Sequence, residues 1–205
     1  MLEKENVIRV VHGLYERKGI HAVDWADIAQ DFNVPESEII SLFETKENLV
    51  LEYTKSDLDA FAEGIAALSL MELHPIQEIM EVSGRVGLML VKQNPKSLVD
   101  IRDFPEAWQL NVDFYHNVGS NFVAYNLERG IKDGLYRSEI NIDIMKHVAS
   151  KQIESYFDPL FLLNDKFMVS EMLMEGSKYF IYGISTEKGT EYFQKNYEEQ
   201  FSFNL

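Results

Sequence analysis

Residues 33–50, NVPESEIISLFETKENLV, contain a turn, a short amphipathic segment and the start of a longer helix. Pro35 interrupts the chain, and Ile39 and Phe43, four residues apart, share one face of the helix that follows it. Thr45 is suited to cap the next helix, because its side-chain oxygen accepts from the free N–H groups of a first turn. The stretch therefore predicts two helices in close succession, although it holds four Glu residues against a single Lys.

The residues before this stretch predict two more short helices. Residues 3–18 place apolar side chains such as Val7 and Val11 on one face, and Gly19 follows as a natural helix end. Asp24 is a suitable cap for a second helix that carries Ile28 on its inner face. We expect three short helices to share one small core.

The rest of the chain is also predicted to be helical, because apolar residues recur at spacings of three and four between successive Pro and Gly residues. No segment shows sustained alternation with enrichment in β-branched residues. The sequence therefore predicts an all-α protein with an N-terminal head, 1–50, joined through a long fourth helix to a larger helical body, 51–205. In the body, helices are predicted after Pro75 and after Pro95. Further helices are predicted at about 105–129, at 142–163 with a bend near Pro159, and at 167–183, and a polar segment follows them.

Composition narrows the class of protein. With 46% apolar residues, 205 residues can bury a substantial core, and the absence of Cys agrees with a reducing compartment, so we expect a cytoplasmic protein. We find neither an export signal nor an apolar run near the roughly 20 residues that cross a bilayer. The formal net charge of −15 disfavours non-specific attraction to nucleic acid, although a binding face responds chiefly to charges within about 10 Å.

Residues 19–49, GIHAVDWADIAQDFNVPESEIISLFETKENL, resemble the helix-turn-helix of TetR-family transcriptional regulators. The family pattern is matched without a gap by Gly19, Asp24, Ile28 with Ala29, Val34, Phe43 and Lys46-Glu47-Asn48-Leu49. Two later segments, ERGIKDGLYRSEINID (128–143) and KYFIYGISTEKG (178–189), resemble the turn before the family's eighth helix and the end of its ninth. The resemblance thus covers nearly the whole chain.

The resemblance implies a homodimeric transcriptional regulator, most simply a repressor, with a DNA-reading head and a body that holds a small hydrophobic ligand. The helices at about 142–163 and 167–183 would form the dimer interface. Helix-turn-helix dimers read two half-sites about one helical turn apart, or multiples of it, on a near-palindromic duplex operator. The resemblance implies no cofactor, metal or membrane partner.

Carried over residue by residue, the resemblance gives six candidate DNA contacts. Some have other interpretations: Trp25 could pack on the first helix, and Glu36 could either accept from a cytosine amino group or interact with the helix dipole and Asn33. Lys46 combines a positive side chain with free N–H groups at a helix start, which suits a phosphate, but it could also be solvated. The candidates are Trp25, Glu36, Ser37, Ile40, Ser41 and Lys46.

The predicted head departs from the family pattern where the pattern contacts DNA. Ile40 occupies the position of a phosphate-contacting Tyr, and Glu38 stands where a small Ser or Thr is usual. Residues 1–50 contain five basic and ten acidic residues, a formal net charge of −5. Two hypotheses remain: a DNA-binding head that is highly sensitive to salt, or an acidic head that docks on a basic protein partner.

Aromatic residues after Pro105 predict either a packed core or a ligand pocket in the body. Met residues add an adaptable lining, and His116 could hydrogen-bond a polar ligand. The pocket candidates are Met89, Trp108, Val112, Tyr115, His116, Phe122 and Tyr125. Catalysis is not expected, because the five His residues form no metal-binding motif and neither a phosphate-binding glycine loop nor a nucleophile elbow occurs.

Overall fold

A computed structural model describes residues 2–92, 94–163 and 166–197 of the protein, apart from the side chains of residues 91 and 92. This part of the chain is helical and contains no strand, which confirms the predicted fold class. The helices, in chain order, are α1 (Lys4–Lys18), α2 (Trp25–Phe32), α3 (Glu36–Phe43), α4 (Lys46–Ser69), α5 (Pro75–Lys92), α6 (Pro95–Asp100), α7 (Pro105–Phe114), α8 (Ser120–Lys132), α9 (Ile142–Ser155), α10 (Pro159–Leu162), α11 (Val169–Ile184) and α12 (Glu187–Tyr197). No helix among the described residues is long and apolar enough to span a membrane.

The first helices begin and end where the sequence predicts. Asp24 and Asp27 form a reciprocal capping box, in which each carboxylate accepts from the other residue's backbone N–H. Thr45 caps α4 by accepting from the N–H of Asn48. The predicted pairing of Glu36 with Asn33 is wrong: Asn33 ends α2 in the left-handed conformation, and Pro35, which has no capping side chain, precedes α3.

Two predicted helices of the body differ from the observed ones. The helix after Pro105 continues to Lys132, and the π-helical segment Tyr115–Gly119 joins α7 to α8. The helix from Ile142 ends at Ser155 and is not bent at Pro159. Proline disfavours a helical residue before it but fits a first turn, so Pro159 instead starts α10, which Asp158 caps.

The head and the body share a hydrophobic cluster. Val7, Val11 and Ile39 are fully buried in it, and Phe104 and Ala107 from the body complete it. Two further clusters lie wholly in the body. The predicted boundary near residue 50 therefore crosses continuous packing, because α4 passes from one part to the other.

A buried polar network joins α5 to α8. The Glu78 side chain is 0% exposed, and its Oε2 accepts from Asn126 Nδ2 at 2.7 Å and from an Arg129 guanidinium nitrogen at 3.1 Å. The Tyr136 hydroxyl donates to Asn126 at 3.0 Å. Gly130 allows this approach, since a Cβ there would lie 2.0 Å from the Tyr136 ring. The network fixes the turn after α8, which the sequence marks only by its glycines.

Candidate functional site

The outer face of α3 is polar and strongly acidic. Ile39 and Phe43 anchor the helix in the core of the head, while Glu36, Ser37 and Glu38 are exposed at its first turn. An exposed first turn can approach a groove with its side chains, as a reading helix must. The geometry is compatible with base contact by Glu36 and Ser37, which stays a prediction.

The next turn of α3 offers less to DNA. Ser41 is exposed, but its hydroxyl donates to the carbonyl of Glu38 at 2.8 Å. Ile40 is half-buried and carries no polar group. Phosphate contact at this turn would therefore need Ser41 to exchange its internal hydrogen bond for one to DNA.

The Lys46 side chain points into the head. Its amine donates to the carbonyl of Val23 at 2.7 Å and to that of His21 at 3.4 Å. Burial lowers the pKa of Lys46 from its usual value, against the opposing effect of Asp100 and other nearby carboxylates. A phosphate clamp at Lys46 would require the amine to leave these carbonyls, so the backbone N–H groups of the first turn of α4 are better placed for a phosphate.

Other head residues are also engaged within the protein. Trp25 is half-buried and packs against the core of the head. Lys18 forms an ion pair with Asp27, and this hydrogen bond lowers the pKa of Asp27. The Lys4 amine lies 5.5 Å from the centre of the Phe43 ring. On α3 and at its end the exposed charged side chains are Glu36, Glu38 and Glu44, and α3 itself carries no basic residue.

A large apolar pocket opens in the body. It encloses about 1370 Å³ of empty space, a figure that includes its opening to solvent, and α4, α5, α6, α7, α8, α9 and α11 all contribute to its wall. Ligand sites in proteins are typically lined mainly by apolar and aromatic side chains, as this pocket is. The body therefore offers space for a ligand where the sequence left the choice between core and pocket open.

Four of the predicted pocket residues line this space. They are Met89, Trp108, Tyr115 and Phe122.

The other three predicted pocket residues lie outside the lining. Val112 is half-buried next to it, and the Tyr125 side chain is 53% exposed beneath Arg129. His116 lies with its Nε2 3.9 Å from Glu154 and its ring 6.3 Å from that of His147. For His116 and Tyr125, the prediction assumed a regular helix, whereas the π-helical segment Tyr115–Gly119 changes the phase of the side chains within and after it.

The sequence analysis missed a pocket wall that also contacts the head. Ser97, Leu98 and Ile101 line the pocket from α6 and the turn after it. The Ser97 hydroxyl donates to the carbonyl of Tyr15, at the end of α1, at 2.7 Å. A pattern of apolar residues could not reveal this contact, because its donor is an isolated Ser and its acceptor is a backbone oxygen.

The head and α6 are joined by further polar contacts around His21. Its backbone N–H donates to the Asp100 carboxylate at 3.1 Å, and its ring nitrogen lies 2.9 Å from Asp103. Asn94, at the start of α6, donates to the carbonyl of Arg17 at 3.4 Å. A shift of α6 would thus act on the C-terminal end of α1 and on the turn between α1 and α2.

Apolar side chains are exposed on the helices predicted to form the dimer interface. Ile144 and Val148 on α9 are 60% and 48% exposed, and Tyr179 and Tyr182 on α11 are 83% and 38% exposed. Exposed apolar side chains grouped on neighbouring elements are typical of association surfaces. The dimer itself stays a prediction.

No family model matches the chain, and no curated protein matches it. Its fold does match solved structures. A TetR-family transcriptional regulator from Agrobacterium tumefaciens is similar, with a TM-score of 0.69 and 17% identity over 89% of this chain and 97% of that one.

Two similar structures contain ligands. The transcriptional regulator FadR from Bacillus subtilis, in complex with stearoyl-CoA, has a TM-score of 0.66 and 14% identity, covering 89% of this chain and all of that one. A putative transcriptional regulator from Saccharomonospora viridis, in complex with choline, has a TM-score of 0.65 and 17% identity, covering 90% and 98%. The chain has the fold of the TetR-family transcriptional regulators.

Proposed function

We propose that the protein is a homodimeric, ligand-responsive transcriptional regulator that represses genes by binding a near-palindromic operator. The observation that carries this proposal is the shared role of α6, which lines the apolar pocket through Ser97 and Leu98 and is hydrogen-bonded to the head. A ligand that prefers one position of α6 would shift the head toward the matching orientation. A tenfold change in DNA affinity needs only about 1.4 kcal/mol of differential ligand affinity.

The ligand in this proposal is a small hydrophobic molecule bound in the body. The apolar pocket supports it. Two similar folds were solved with small-molecule ligands, stearoyl-CoA and choline. Those two ligands differ widely in size and charge, so the ligand of this protein must be inferred from its own lining. We expect a regulator of this kind to work beside its DNA, in the cytoplasm.

The proposed DNA contacts fall on α3 and on the start of α4. Exposed Glu36 and Ser37 would meet base edges, while Ser41 and the N–H groups that begin at Lys46 would meet phosphates. Trp25 and Ile40 would pack at the edge of the same face. The dimer would use α9 and α11, so that the two heads are held at a fixed spacing.

Selection from random duplexes with the pure protein, at low and moderate salt, tests the proposal. Enrichment of a near-palindrome with half-sites about one turn, or a multiple of it, apart is expected. Failure to enrich any sequence even at low salt would refute DNA reading.

Two variants separate the expected roles of head residues on the enriched duplex. Lys46→Glu would remove the amine from the Val23 carbonyl and place a carboxylate beside the N–H groups that begin α4, so it should weaken all duplexes alike. Glu36→Ala should change the preference at one base position. A uniform loss from both variants would contradict base reading by Glu36.

A second candidate function keeps the fold but assigns the head to a basic protein partner. It is favoured by the net charge of −5 over residues 1–50 and by the internal engagement of Lys18 and Lys46. A partner that the protein retains, and loses when Glu36 and Glu38 both become Gln, would support this function. Tight operator binding without such a partner would dismiss it.

A further inference from the structure

The wall of the pocket is unusually rich in aromatic side chains. Nine of its described lining residues are Phe, Tyr or Trp. Several contact one another edge to face, as Phe61 and Phe114 do at 6.0 Å, while Tyr115 and Phe157 stack at 5.0 Å. Aromatic walls of this kind gain most from flat rings, which offer both faces and edges for contact.

Several polar side chains in the wall are hydrogen-bonded within the protein. Asn111 donates to the carbonyl of Ala107 and accepts from the Tyr115 hydroxyl, and Gln152 donates to the Tyr156 hydroxyl at 2.9 Å. These side chains are neutral, so they offer a ligand ion no opposite charge.

Asp57 is the one charged side chain among the described lining residues. It is half-buried and already interacts within the chain. Burial, and after it the negative charge of Asp57, raises the pKa of Tyr115. The same two causes raise the pKa of Tyr53. A carboxylate or phosphate on a ligand would thus meet like charge and find no described basic partner.

We propose that the pocket takes an uncharged, mainly aromatic or polycyclic ligand, and that it excludes carboxylates and phosphates. This inference rests on the proposed function, since it names the ligand class of the same pocket. An anion would lose its hydration, meet the Asp57 carboxylate and gain no basic partner among the described lining residues, whereas an uncharged ring system would lose little hydration. The pocket then differs in ligand class from the similar fold solved with stearoyl-CoA.

Three pyrene probes that share one hydrophobe test the ligand class: 1-pyrenebutanol, 1-pyrenebutyrate and pyrenylbutyl-trimethylammonium. The protein has two Trp residues, so a Trp25→Phe variant leaves Trp108 in the pocket wall as the fluorescence reporter. Titrations followed by the quenching of Trp108 emission should show that the alcohol binds at least about tenfold more tightly than the acid. The cation should also bind more tightly than the acid, because Asp57 attracts it. An acid that binds as tightly as the alcohol or the cation, or an alcohol that does not bind, would overturn the inference.

Adding a positive charge to the wall gives the complementary test. Phe61 is half-buried in the lining on α4, so Phe61→Lys should raise the affinity of 1-pyrenebutyrate by about tenfold over the matched Phe61→Leu control. Met89→Lys on α5 serves as the second variant if the first does not fold. No gain for the acid in a folded Lys variant would contradict the account, because an apolar wall would then not be what excludes anions.

The two levels of inference fail separately. If the protein binds 1-pyrenebutanol but enriches no duplex, the proposed ligand class stands and the proposed regulatory function is refuted. If the protein enriches an operator but prefers 1-pyrenebutyrate, the regulatory function stands and the ligand class is refuted.

Discussion

At the scale of single residues, Lys46 shows what a sequence motif leaves open. Its position at the start of α4 and the cap by Thr45 follow from the sequence, because capping is a local interaction. The direction of its side chain depends on the carbonyls of His21 and Val23, more than 20 residues earlier, which no local pattern reveals. The same residue type in the same motif thus stabilises the turn between α1 and α2 in this protein.

Removing the amine should therefore destabilise the head. Lys46→Met keeps an apolar stem but leaves the Val23 carbonyl without its donor, so the free energy of unfolding should fall by about 1 to 3 kcal/mol. Lys55→Met is the control, because Lys55 makes only a surface pair with Glu52 and should change stability by about 0.5 kcal/mol or less. Urea unfolding measures both; equal effects would show that the Lys46 amine has no structural role.

Glu78 offers a larger effect away from the pocket. Glu78→Ala would remove the carboxylate that accepts from Asn126 and Arg129 in a fully buried position, and loss of one partner from such a network typically costs about 3 to 5 kcal/mol. Thermal unfolding should show a large fall in Tm. A variant as stable as the parent would mean that Arg129 and Asn126 find water instead.

At the scale of elements, the sequence predicts where helices begin and end more reliably than it predicts which of their side chains face the pocket. Gly19, Asp24 and Thr45 mark true helix ends, because each acts through its own backbone or side chain. The π-helical segment Tyr115–Gly119 carries no such mark, and it determines which aromatic residues after it face the pocket. Its position depends on packing between helices, which is not a local property.

The contact between α6 and the head should carry the ligand signal. Ser97→Ala would remove the hydrogen bond to the Tyr15 carbonyl and so weaken the link between pocket wall and head. The ratio of DNA affinities without and with 1-pyrenebutanol should fall toward one, measured by titrating the enriched duplex in both conditions. An unchanged ratio would show that the Ser97 hydrogen bond does not carry the coupling.

The contact of α12 with the body should respond to pH. His74 stacks on Tyr192 of α12 at 3.6 Å, and burial lowers the pKa of His74 below its usual 6.5. The folded state then binds protons less readily than the unfolded state, so this stabilisation is present above about pH 6.5 and is lost as the pH falls toward the folded pKa.

A His74→Phe variant retains a ring against Tyr192 but cannot titrate. Its Tm should fall less between pH 7.5 and pH 5.5 than that of the parent protein. Parallel falls in the two proteins would rule out His74 as a source of the pH dependence.

At the scale of the whole molecule, the sequence predicts the architecture but not the cavity. The helical head and body follow from apolar spacing, whereas the empty space in the body depends on how seven helices pack without filling the space between them. The wall residues Tyr53, Phe61 and Phe180 have the same pattern as core residues. Only their placement around a common space distinguishes lining from core.

The predicted dimer can be tested through its exposed apolar side chains. A Val148→Glu, Tyr179→Glu double variant would place four carboxylates in a symmetric interface of α9 and α11, so sedimentation should give half the mass of the parent protein. Leu70→Glu is the control, because Leu70 is 84% exposed at the end of α4 and belongs to neither α9 nor α11. A double variant that sediments as the parent dimer would place the interface elsewhere.

The central claim is that an acidic head reads a specific DNA sequence. The most direct measurement is the ratio of affinities for the enriched duplex and for a scrambled duplex of the same length, across a series of salt concentrations. We expect a ratio of at least about 10³, because base contacts by the exposed turn of α3 must outweigh few phosphate contacts. The salt dependence should be shallow, in contrast to the high sensitivity expected from the sequence, because Lys18 and Lys46 are engaged within the protein. A ratio near one at every salt concentration would contradict it.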